Sequence, residues 1–166
     1  DGGGGGSSSA PADDPEGLSE EEQAKVDAAQ AWIDDEADLD DEQKEQLAGI
    51  YVNAAAPLLQ DPNKDYAAAA ELTRSFLAVA ISQRRVAPSC YFILGVSTFQ
   101  LAAAMDSDTE KQKSCDMARK ENELVLEAEK GLTTGRAVRA ETADQLLGYV
   151  NQFKTRTSSM IKAYCK

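Results

Sequence analysis

At 166 residues, with 42% hydrophobic and 28% charged side chains, the chain has the composition of one soluble globular domain plus an appendage. It contains no histidine, which removes Ser-His-Asp and Cys-His catalysis and every His-ligated metal site. The formal charge of −12 is segregated: residues 1–42 hold fifteen acids and one base, residues 43–166 fourteen acids and sixteen bases, so no strongly basic face is offered to nucleic acid.

Residues 1–17, rich in Gly, Ser, Pro and Asp, read as a flexible tether. Residues 18–42 form an acidic N-terminal arm with one helix. Ser19 with Glu22 makes a capping box, and Val26, Ala29, Trp32 and Ile33 make a narrow apolar stripe. A second helix is expected from Asp41 to Leu59, ended or bent by Pro57, with a turn at Asp61-Pro62-Asn63. The third runs from Asp65 to Gln83 with Leu72, Phe76, Leu77, Val79 and Ala80 inward. The fourth starts at Pro88 and ends at Met105. Asp106 to Asp108 read as a turn, with a second capping box at Ser107 and Glu110. The fifth helix then runs to Lys130 with Gly131 as its stop, and the sixth, carrying Val138, from beyond Gly135 to Ala163. Val and Ile never alternate with polar residues over a strand length, so the expected fold is all-α, about six helices, with residues 43–166 as one helical-hairpin domain.

Three alternate helices carry a mid-helix glycine, Gly49, Gly95 and Gly148, within the runs Leu47 to Asn53, Leu94 to Val96 and Leu147 to Asn151. Such a glycine costs about 1 kcal/mol against alanine, so each predicts a close helix approach. Tyr91-x-x-Leu94-Gly95, with Ala68, Leu72 and Ser75, resembles the tetratricopeptide repeat over residues 42–163, although the units here are longer by a dozen residues or more than the family repeat. The resemblance implies antiparallel hairpins in a right-handed array, the alternative being a helical bundle. It also implies a concave groove that binds protein segments, lined here by Tyr51, Asn53, Ser97, Gln100 and Asn151; against it stands the plain reading of Tyr51 as core and the amides as solvated surface.

Trp32 is a single large anchor, for the body or for a partner. The acidic run Asp34, Asp35, Glu36, Asp38, Asp40, Asp41 and Glu42 offers oxygens of the kind calcium takes. It lacks the glycine and terminal glutamate of an EF-hand and reads as a solvated linker or a contact for a basic surface. Of three cysteines, Cys115 and Cys165 are the best-placed disulfide pair and Cys90 a buried thiol. Lys154, Arg156, Lys162 and Lys166 form a modest basic patch. No acid stands inside an apolar run, and no phosphate loop or nucleophile elbow is present, so no catalytic residue, metal or cofactor is assigned.

The start at Asp1 without Met, followed by Gly2 to Gly6 and Ser7 to Ser9, is similar to a mature bacterial lipoprotein tether. No run of about 20 apolar residues exists, so membrane contact is expected only through an N-terminal lipid. The expected function is a periplasmic or extracellular protein-interaction scaffold, not an enzyme, serving as accessory subunit of a membrane-associated complex. The alternative is a periplasmic helical carrier of a small apolar ligand.

Overall fold

The computed structural model describes residues 18–34, 40–82 and 88–166, and within them not every helical side chain. The described residues are all-α, with six helices and no strand. They divide into two compact units, Asp1–Cys90 and Tyr91–Lys166. That division differs from the single hairpin domain expected over 43–166, because helical periodicity shows which face of a helix is apolar and not which helix covers it.

In the first unit, α1 (Glu20–Asp34) starts at the expected capping box. The Glu22 amide donates to the Ser19 hydroxyl and the Ser19 amide to the Glu22 carboxylate, both at 3.1 Å. A second box opens α2 (Asp41–Ala55): the Gln43 amide donates to Asp40 at 2.8 Å, and the Asp40 amide to the Gln43 side chain at 2.9 Å. Asp40 therefore has a local structural task within the acidic run. Asp40→Ala should cost about 1 kcal/mol, seen as faster hydrogen exchange at the Gln43 amide. Pro57 turns the chain into a 3-10 segment, Ala56–Leu59. Asp65 accepts from the Ala68 amide at 3.0 Å and opens α3 (Tyr66–Ser82). Helices α2 and α3 pack through Leu47, Tyr51, Ala55, Ala69, Leu72 and Phe76, all buried. The alanine run at the start of α3 is buried at Ala68, Ala69 and Ala70.

The second unit consists of α4 (Pro88–Gln112) from Tyr91 onward, α5 (Cys115–Gly135) and α6 (Ala140–Tyr164). Its core is Phe99, Ala102, Val125, Ala128, Leu132, Ala143 and Val150, flanked by Phe92, Leu146 and Phe153. Phe99 meets Phe153 edge-on at 5.7 Å between centroids. The apolar positions step by three and four along each helix, the seam of helices packed side by side.

Several boundaries depart from the sequence expectation. Helix α4 runs through Asp106-Ser107-Asp108 to Gln112. The Asp106 carboxylate is held by Arg156 instead of folding back onto its own backbone, and Thr109 donates to the Met105 carbonyl at 3.0 Å. The cap of α5 is Ser114, not Ser107; it accepts from the Met117 amide at 3.2 Å. Lys113 ends α4 with a φ of 49°, the left-handed conformation usual at a helix C-terminus. Gly131 is no stop, since α5 passes through it to Gly135. Val138 lies exposed in the α5–α6 turn and not on the inner face of α6.

The glycines explain the tightest contact. A Cβ on Gly131 would lie 2.6 Å from the Tyr91 carbonyl oxygen and 2.7 Å from the Gly95 nitrogen. One on Gly95 would lie 2.7 Å from the Leu132 nitrogen, and one on Gly135 2.7 Å from the Phe92 Cα. Here α4 and α5 touch backbone to backbone. Gly49 and Gly148 have nothing within 4 Å of such a Cβ, so the close approach expected at all three repeated glycines is found at Gly95 alone.

Among the described residues one helix, α4, is long and apolar enough by length and composition to cross a membrane; the run-by-run expectation had none. Of its apolar window 56% is buried inside the protein, as in a core helix.

Candidate functional site

The seam of the second unit changes character toward the α4–α5 turn. On α5 the inward positions are Ala118, Glu121, Val125, Ala128 and Leu132, so a glutamate occupies a core position. On α6 the same series places Thr157 after Val150 and before Met160. On α4, stepping by three and four from Phe99 and Ala102 leads to Asp106 and Thr109. Three helices thus contribute polar side chains to one layer.

Arg156 organises it. Its Nε donates to both Asp106 oxygens, at 2.8 and 3.0 Å, and its Nη2 reaches Glu110 at 3.1 Å. Burial works against the Asp106 carboxylate, but hydrogen bonds from Arg156 and Glu121 and the Arg156 charge outweigh it and hold this carboxyl below its usual range. The same hydrogen bonds, to Asp106 first, push Arg156 upward. Thr157 donates to Asn122 at 2.8 Å, and Lys154 pairs with Glu129 at 2.8 Å, tying α6 to α5 on either side.

Glu121 is the exception. It is 0% exposed, and neither carboxyl oxygen receives a hydrogen bond. The Thr109 proton goes to Met105, and the Arg156 bonds go to Asp106 and Glu110. The polar groups within reach of Glu121 are the Thr109 hydroxyl, which donates to the Met105 carbonyl, and the Asp106 carboxyl, itself an acceptor. Two acceptors bond only if one carries a proton. Burial first, then the Asp106 hydrogen bond, raises Glu121 from its ordinary 4.5 to about 7. No acid stands inside an apolar run of the sequence, yet Glu121 holds a core position. The residues next to Glu121 in sequence are charged or polar, and the signal lies in its spacing from Ala118, Val125 and Ala128.

The residues singled out from sequence lie as follows. Tyr51 is buried against Phe76, 5.3 Å between ring centroids, and burial first, then Asp27 and Cys90, raises its hydroxyl. Ser97 is buried and donates to the Ile93 carbonyl at 2.7 Å. Neither is available to line a groove, because each is enclosed by its own packing. Asn53 and Asn151 are exposed and Gln100 is half-buried. The side chains of Trp32, Asp34 and Asp41, and residues Asp35, Glu36 and Asp38 altogether, fall outside the described residues. Cys115 and Cys165 form a disulfide, with Cα atoms 4.9 Å apart. Cys90 is a buried free thiol, pushed up to about 12 by burial. Of the basic patch, Lys154 and Arg156 are engaged in ion pairs, while Lys162 and Lys166 are exposed.

One open groove runs along α6, lined by Gln152, Thr155, Arg156, Ser159, Ala163 and Tyr164. Tyr149, 49% exposed, stands one turn before it. Among the described residues no group of three or more acids and cysteines is arranged to hold a metal ion. Comparison with protein-family models, with curated proteins and with solved structures found no match for this chain.

Proposed function

We propose that the protein is an exported interaction scaffold, an accessory subunit of a membrane-associated assembly, that recruits a basic protein surface through its acidic N-terminal segment. The observation that carries this reading is charge segregation, net −14 over residues 1–42 against +2 over residues 43–166. On α1, Glu20 and Asp27 are exposed, so part of that charge faces solvent. The Cys115–Cys165 disulfide supports an oxidising compartment. The hairpin succession, with its likeness to tetratricopeptide repeats, supports a docking body. A catalytic reading of the Glu121–Asp106 pair is disfavoured, because Glu121 is sealed from solvent and Arg156 already occupies Asp106.

The test compares the full chain with a variant carrying Glu20→Gln, Glu21→Gln, Asp27→Asn, Asp35→Asn, Glu36→Gln and Asp38→Asn, each immobilised and presented with native membrane extract. A partner with a basic surface should be retained by the parent, lost roughly tenfold by the variant, and released by added salt. Equal retention by both proteins, or retention indifferent to salt, would overturn the reading.

A further inference from the structure

We propose that Glu121 and Asp106 hold one proton between them, and that this pair makes the three-helix unit a pH-responsive latch whose packing tightens on acidification through neutrality. Neither oxygen of Glu121 receives a hydrogen bond, and its polar neighbours are the Thr109 hydroxyl, which donates to the Met105 carbonyl, and a carboxylate pinned by Arg156. The protonated Glu121 carboxyl donates to Asp106, which joins α5 to α4 and, through Arg156, to α6. Loss of that proton places two carboxylates side by side, with Glu121 fully buried and Asp106 partly so, beside one half-exposed guanidinium that Glu110 also engages. Among the described residues, the charged groups facing Glu121 are Asp106 with Glu110 beyond it on α4, and Arg156 on α6; α5 itself contributes none.

The sign follows from where the proton sits. The folded state keeps it to about pH 7, whereas the unfolded chain releases it near the ordinary 4.5. Between these values the folded state binds more protons, so stability falls as pH rises through the window. Asp106 acts oppositely: lowered in the folded state, it withdraws stability only below its ordinary 3.8. Maximum stability therefore lies at mildly acidic pH. The chain has no histidine, so no imidazole titrates in this window to mask the effect.

The test is equilibrium unfolding of the full chain between about pH 5 and pH 8, for the parent and for Glu121→Gln, whose amide donates to Asp106 but cannot ionise. The unfolding constant of the parent should rise on the order of 100-fold across this range, and that of Glu121→Gln should stay nearly flat. A carbon-detected NMR titration of the parent's glutamate carboxyls reports independently of variant folding, and one of them should titrate near 7. A flat parent, a variant with the same slope, or glutamates that all titrate in the ordinary range would each overturn the proposal.

Discussion

Replacing Cys115 and Cys165 together by serine is expected to lower the stability of the second unit by about 4 kcal/mol. The bond spans 50 residues and joins the first residue of α5 to the cap of α6, so it closes almost the whole antiparallel pair. In the unfolded chain that closure removes conformational freedom, and the loss grows with the logarithm of loop length. The unit is small, Tyr91–Lys166, and its core carries a polar layer at the disulfide end, where apolar burial is weakest. A deficit of this size corresponds to a fall in Tm of roughly 15–30 °C for a unit of this length. Circular dichroism melts, with hydrogen exchange to localise the change to α5 and α6, would measure it. Cys90 does not complicate the experiment: it is buried and its thiol, pushed up to about 12, stays protonated and inert. A Tm within a few degrees of the parent would show that the bond contributes little to holding these helices.

Gly131→Ala should be nearly as damaging, by about 3 kcal/mol net. Its new methyl would fall 2.6, 2.7 and 2.8 Å from three backbone atoms of Tyr91 and Gly95. Backbone cannot rotate aside as a side chain can, so α4 and α5 must separate, loosening Phe92, Leu132 and the contacts beyond them. The better helix propensity of alanine offsets about 1 kcal/mol of this cost. Gly49→Ala and Gly148→Ala provide the contrast. Both sites are open, so the propensity term acts alone and each variant should gain up to about 1 kcal/mol. Chemical denaturation of the three variants would check the opposite signs; destabilisation by all three would mean that helix contact is not what separates these glycines.

Local signals were legible wherever a short stretch of chain decides the outcome. Ser19 with Glu22 caps α1 as its spacing requires, Pro57 breaks the regular helix, and Pro88 opens α4. The disulfide joins Cys115 and Cys165, the pair expected from the sequence. The candidate site was not legible in the same way. Glu121 sits among Lys120, Asn122 and Glu123, a stretch that reads as solvent-facing until its three-and-four spacing with Ala118 and Val125 is followed. The groove residues expected by likeness to a repeat failed at Tyr51 and Ser97, since a pattern of large and small residues does not say which of them the neighbouring helix encloses.

Composition and periodicity alone determined that this protein is helical, that its chemistry excludes imidazole, and that its negative charge gathers at one end. Those properties belong to single residues or to one turn of backbone, where the interactions are a few positions apart. Tertiary packing decided the rest: that α4 continues through Asp106-Ser107-Asp108, that Gly131 is a contact surface rather than a stop, and that Asp106, Glu121 and Arg156 meet. Each depends on a partner at least 15 residues away along the chain, as the numbering of those residues shows. A turn signal or a stop glycine states only a local preference, worth about 1 kcal/mol, which a part-buried ion pair or a close backbone contact can override.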